Sequence, residues 1–306
     1  MPNWKDVLAE VEQQRIAHAQ AQRGVLDNVR RGYLAVLHQK TGRNVIAYYS
    51  GWLSKPGSQL DVEITDEDKN GFMGAVHNLD RTKGLDLFLH TPGGGLHPTQ
   101  SIVDYLRKMF KNDIRAVVPQ IAMSAGTIMA CCCRSIMMAK HSNLGPIDPW
   151  LRGVPAAGVV TEFKRAYAEM KVDAAKARVW QPILAQYKPT FLNQCENAVK
   201  WAKTFVRDEL VSCMLANDPK AKVKANRIVS KLSDFTGNRS HSRHIHMDEC
   251  AAIGLTIESI EADPELQDLI LTVHHCYMHS LSNSPSYKMI ENHLGAAWVK
   301  QAVLTQ

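Results

Sequence analysis

Three consecutive glycines, Gly93 to Gly95, close the stretch LDLFLHTPGGG, and a serine at 124 sits among small neighbours in PQIAMSAGTIMA. Consecutive glycines after a strand let backbone N–H groups turn into a cleft, in conformations that a Cβ forbids. Amides presented in this way stabilise either a phosphate or a developing oxyanion. Neither GxGxxG nor GxxxxGK[ST] fits the stretch, which argues against dinucleotide and P-loop binding. Ser124 falls where a strand passes into a helix. The helix N-terminus favours negative charge there, and Ala122, Ala125 and Gly126 leave room for a substrate backbone. Each stretch alone is an ordinary structural feature. Separated by one strand–helix–strand unit, they form a distinctive pair.

The surrounding elements must bring that pair together. Residues 84–90 read as a buried strand, 96–110 as a helix with Ile102, Leu106 and Met109 on one face, and 114–120 as a second strand. A helical apolar segment at 124–133 and a third strand at 134–139 follow. This alternation implies right-handed crossovers and a parallel sheet, with both loops at one sheet edge. Upstream, 1–23 reads as a helix carrying Val7, Leu8, Val11 and Ile16, and 32–39 and 44–52 as strands joined at Thr41-Gly42. Residues 64–80 read as a helix capped by Thr65, with Asp68 three positions on. Downstream come several helices over 160–233, a short helix and strand over 247–261, and a capped amphipathic helix over 263–281. No repeat or low-complexity linker divides the chain. The expected organisation is an N-terminal helix within 1–30 for packing or oligomerisation, one α/β domain over 31–290 with a helical insertion near 160–233, and a tail over 291–306.

Composition narrows the function classes. The 306 residues carry a formal charge of +6, but the basic residues are scattered without interleaved aromatics, so no nucleic-acid partner is expected. The charged N-terminus is not a secretory signal, and no apolar run reaches membrane-spanning length, so a cytoplasmic protein without an integral membrane segment is expected. Of the seven cysteines, three are contiguous (Cys131, Cys132, Cys133) and none has CxxC spacing. They read as reduced, buried small hydrophobes, and neither a metal nor another cofactor is expected.

The stretches GLDLFLHTPGGG, AMSAGTIMA, HSNLGPIDP and the later MDECAAIGL together resemble the Clp protease and signal peptide peptidase superfamily, whose fold is shared with the crotonases. Within it the chain is most similar to the serine dehydrogenase proteinase family. The resemblance implies a Clp/crotonase-like α/β fold: a parallel sheet of repeated ββα units with added helices. It implies Ser124 as nucleophile of a serine peptidase and an oxyanion hole from the amides of Gly94 and Ala125, with Gly93 in the same turn. It also implies peptide or unfolded-protein substrates and a homo-oligomer, with a separate ATPase unfoldase as a candidate partner.

A serine nucleophile needs a base, either a histidine oriented by a carboxylate or a desolvated lysine. In Clp-type proteases a histidine follows the nucleophile helix in an IHQP-like stretch. GPIDP stands in that place here, with Asp148 at the matching position. Where the family has its aspartate, NRSHSRHIHMDECAAIGL offers His241, His244 and His246. The expected triad is therefore Ser124, His241 and Asp148, with the two partners interchanged. The signal peptide peptidase branch implies a Ser–Lys dyad instead, for which Lys164 and Lys140 are the candidates. Plainer roles stand beside these: turn bracing for Asp148, a solvated loop for His241 and an exposed helix for Lys164. A crotonase-like acyl-thioester enzyme and a catalytically inactive assembly scaffold are the alternative functions.

Overall fold

Alternate residues of the central strands bury opposite faces, which is the signature of a sheet covered on both sides. Ile46, Tyr48, Leu85, Leu87, Leu89, Ala116 and Val118 enter one core, and Val45, Ala47, Tyr49, Phe88 and Val117 enter the other. The computed structural model describes residues 4–17, 24–57, 59–234, 237 and 240–302.

The strands are β1 (Asn44–Ser50), β2 (Leu85–His90), β3 (Ile114–Val118), β4 (Ile121–Ala122), β5 (Ser135–Met138), β6 (Asn143–Leu144), β7 (Trp150–Leu151), β8 (Val154–Pro155), β9 (Ile245–His246), β10 (Ile257–Ser259), β11 (Ser286–Asn292) and β12 (Ala297–Gln301). The large sheet runs β10-β5-β3-β2-β1-β11-β12. Its members from β10 to β1 pair in parallel, while β11 and β12 join antiparallel. The helices are α1 (Trp4–Ala17), α2 (Val25–Thr41), α3 (Asp68–Val76), α4 (Leu96–Phe110), α5 (Ala125–Cys131), α6 (Ala156–Val172), α7 (Ala177–Leu184), α8 (Phe191–Ser212), α9 (Ala221–Leu232), α10 (Met247–Ile253) and α11 (Pro264–Asn283). This is the mixed α/β, Clp/crotonase-like architecture, in which β3 continues into β4 and then turns into α5.

Four expectations are corrected. Residues 32–39 are not a strand but part of α2, whose buried side chains Val25, Val29, Arg30, Leu34 and Leu37 recur at helical spacing. Gly42, with φ 68°, is that helix's left-handed C-cap rather than a turn between strands. The segment beyond 290 does not trail off: it completes β11 and forms β12, and β11 pairs with β1 from Ile46↔Asn292 to Ser50↔Lys288. At α3 the capping is reversed, since the Asp68 carboxylate reaches back to the Thr65 amide at 3.0 Å while the buried Thr65 hydroxyl bonds nothing.

The first expected helix covers Trp4–Ala17, and residues 18–23 lie outside the described residues. Val7 is buried against Val29 and Cys276, whereas Leu8 is exposed. The helical stretch begins at Ala156, where Val159 packs on Phe191 and Cys195 in a satellite core. Phe205, Val206 and Leu210 of α8 instead join the main core. Cys131, Cys132 and Cys133 are buried with free thiols. No helix of the described residues is long and apolar enough to cross a membrane.

Candidate active site

Ser124 is held at φ 52°, ψ −115°, a backbone conformation that L side chains rarely adopt. Such strain persists only when the surroundings over-determine it, and here small residues do so. A Cβ on Gly126 would come 2.5 Å from Thr91 Cγ2 and 3.3 Å from Ala122 Cβ. The serine thus stands on a sharp strand-to-helix turn with no room for bulk two residues before or after it, as nucleophile elbows require.

The glycine turn lies directly against this elbow. Thr91 bridges Ala122, with the Met123 amide donating to the Thr91 carbonyl at 3.0 Å. A Cβ on Gly93 (φ 105°) would sit 2.6 Å from Ser124 Cβ, so only glycine allows the approach. The Gly93 amide is taken by Thr91 Oγ1 at 3.1 Å, which removes it from the expected set of oxyanion donors. Gly94 bridges Ile64: the Ile64 amide donates to the Gly93 carbonyl and the Gly95 amide to the Ile64 carbonyl. In that pattern the Gly94 N–H points away from Ile64. Within the described residues no hydrogen bond occupies the Gly94 or the Ala125 amide.

A small three-stranded sheet, β4-β6-β9, gathers the remaining side chains. Ile121 and Ala122 pair in parallel with Asn143 and Leu144, and these pair antiparallel with His246 and Ile245. The chain leaving β4 toward Ser124, the chain leaving β6 toward Asp148 and the chain entering β9 from His241 therefore share one end of this sheet. Thr127 ties two of them, since its buried hydroxyl donates to the Ala122 carbonyl at 2.8 Å and accepts from the Gly145 amide at 2.9 Å.

At that end His241 Nδ1 lies 2.9 Å from Asp148 Oδ1. A carboxylate only accepts, so Nδ1 carries the hydrogen and Nε2 is left as the proton acceptor. Asp148 is 2% exposed, and its second oxygen has no hydrogen-bond partner. The Trp150 ring lies against the imidazole, with centroids 5.3 Å apart. His244 and His246 are exposed. Lys164 is exposed on α6, and Lys140 is exposed beyond β5 with its amide bound to the Glu261 carboxylate. His90, just before the glycine turn, is fully buried between the Ser50 carbonyl and Gln120, and burial pushes it down to about 4.

Sequence reading missed Thr91, Thr127 and Trp150. The two threonines carried a usable signal, since each stands beside a glycine motif, in HTPGGG and SAGT. Trp150 carried none, because its partner lies far along the chain.

A family model, the ClpP-like SDH-type serine proteinase, matches residues 16–274. An uncharacterized protein of Methanocaldococcus jannaschii is 29% identical over 196 residues, covering 64% of this chain and 61% of its own length. A second from the same organism is 24% identical over 196 residues, covering 64% and 59%. An ATP-dependent Clp protease proteolytic subunit of Streptococcus agalactiae is 30% identical over 102 residues, covering 32% of this chain and 52% of the subunit. The chain thus spans less than two thirds of the length of these curated relatives. The family match extends from α1 into α11 and takes in the elbow, the glycine turn and the His241–Asp148 pair: the chain belongs to the ClpP-like SDH-type serine proteinase family.

Proposed function

We propose that the chain is a serine peptidase that works through a Ser124 acyl-enzyme. Ser124 Oγ attacks the scissile carbonyl carbon while His241 Nε2 takes the hydroxyl proton. The carbonyl oxygen becomes an oxyanion held by the Gly94 and Ala125 amides. As the C–N bond breaks, His241 returns the proton to the leaving amine. Water, deprotonated by the same imidazole, then attacks the ester and releases Ser124 and a carboxylic acid. Asp148 orients the ring and offsets its transient positive charge.

The observation that carries this reading is the His241–Asp148 hydrogen bond at the end of the small sheet from which Ser124 also emerges. A dyad needs a lysine stripped of water, and both Lys164 and Lys140 are exposed, which favours the triad. The acyl-thioester alternative uses a similar amide pair but gives no role to a strained serine.

Extended or unfolded polypeptide is the proposed substrate class. Kinship with a Clp proteolytic subunit supports self-assembly and a separate ATPase as partner. A fluorophosphonate probe tests the chemistry. Labelling of Ser124 that disappears in Ser124→Ala supports it; acyl-CoA binding without labelling favours the thioester enzyme, and absence of both favours a scaffold.

A further inference from the structure

Lys288 on β11 and Asp68 at the start of α3 form an ion pair, with Nζ 3.0 and 3.2 Å from the two carboxylate oxygens and both side chains fully buried. Tyr48 donates to Asp68 Oδ2 at 2.9 Å. A buried ion pair is poor evidence for stability, because well-packed apolar side chains of similar volume often serve as well. Its use lies in what else it holds. Lys288 Nζ donates to the Glu63 carbonyl at 2.5 Å, and Asp68 Oδ2 accepts from the Thr65 amide at 3.0 Å.

Those two backbone groups flank Ile64. On its other side Ile64 donates to the Gly93 carbonyl at 2.8 Å and accepts from the Gly95 amide at 2.9 Å. The 63–65 backbone is thus clamped on one edge by the ion pair and on the other by the glycine turn. Contact at Gly94 is so close that a Cβ there would fall on the Ile64 backbone. Any sideways shift of Ile64 must move the Gly94 backbone with it.

We propose that Lys288 and Asp68 are positioning residues for the Ser124 site, acting through Glu63, Ile64 and Thr65 to fix the glycine turn. The inference deepens the peptidase reading and rests on it for its catalytic part. An apolar replacement could fill the same volume, but it would leave the Glu63 carbonyl and the Thr65 amide unheld.

The test compares the full chain with Lys288→Met/Asp68→Leu and with Tyr48→Phe. Exhaustive fluorophosphonate titration counts competent Ser124, and hydrogen exchange follows the Ile64 and Gly95 amides. The expected result for the double variant is a fall of about 10–100-fold in kcat per titrated site, below the loss of a whole oxyanion donor. KM should stay within about twofold, because only transition-state contacts are weakened. Ile64 and Gly95 should exchange faster. A purely structural role would lower Tm or the titratable fraction while kcat per titrated site and both exchange rates stay unchanged, and that result overturns the proposal. If the double variant does not fold, Tyr48→Phe decides in the same way, with a few-fold effect expected. If Ser124 in the unaltered chain takes no label, the peptidase reading fails, yet the exchange comparison still tells whether the ion pair holds the turn.

Discussion

His241 and Asp148 meet at 2.9 Å across 93 positions of sequence, with the carboxylate buried and the imidazole partly open to solvent. A buried acceptor beneath a solvent-facing ring fixes both tautomer and direction. That is what the proposed Ser124 mechanism asks of this pair.

Asp148→Asn keeps the side-chain shape and removes the charge. It should lower the rate of peptide hydrolysis by about 10³–10⁴-fold with little change in KM, as loss of the correct tautomer does. Steady-state kinetics on a fluorogenic peptide checks this, and a loss under tenfold would mean that Asp148 only braces its turn.

Gly93→Ala should abolish labelling of Ser124. The new methyl meets Ser124 Cβ and must also adopt φ 105°, so the turn and the elbow separate. Strain of this kind costs about 1–3 kcal/mol, small enough for the variant to remain folded by circular dichroism. Normal labelling in a folded Gly93→Ala protein would show that the close approach is dispensable.

Thr127→Val deletes a fully buried hydroxyl and leaves the Gly145 amide without its acceptor. An unsatisfied buried donor costs about 1–3 kcal/mol. Calorimetry should record a Tm lower by several degrees, and an unchanged Tm would mean that another group takes over the bond.

Stability should fall in mild acid through His90. Its folded value is held at about 4 against 6.5 when free, so between those limits the unfolded chain binds the proton and the folded chain does not. The stabilisation is complete above pH 6.5 and is lost as pH falls toward 4, by about 3 kcal/mol in all. Urea titrations at pH 7 and pH 4.5 measure the slope, and His90→Asn should reduce it, leaving the share of His274 and His293, which burial also pushes down. An equal slope in that variant would assign the acid sensitivity elsewhere.

Much of this design was legible because its parts are local. The glycines, Ser124 and the strand–helix alternation over 85–139 each follow from short-range pattern and turn chemistry. The Asp148–His241 pairing became readable through resemblance to a family, and neither residue's own neighbours announce it. What escaped reading lies in long-range pairing. Lys288 and Glu291 give β11 the polar texture of a loop, yet both are fully buried, with partners 220 and 261 positions away at Asp68 and Arg30. Residues 32–39 looked like a strand because eight residues hold barely two helical turns. Only the longer run from Val25 reveals the period.

The identity of the base is tested most directly by pre-steady-state acylation of Ser124 in His241→Ala and Lys164→Ala, compared with the unaltered chain at pH 7.5. The expected result is a loss of about 10³-fold or more for His241→Ala and less than about threefold for Lys164→Ala. A collapse confined to Lys164→Ala, with His241→Ala acylating normally, would contradict it.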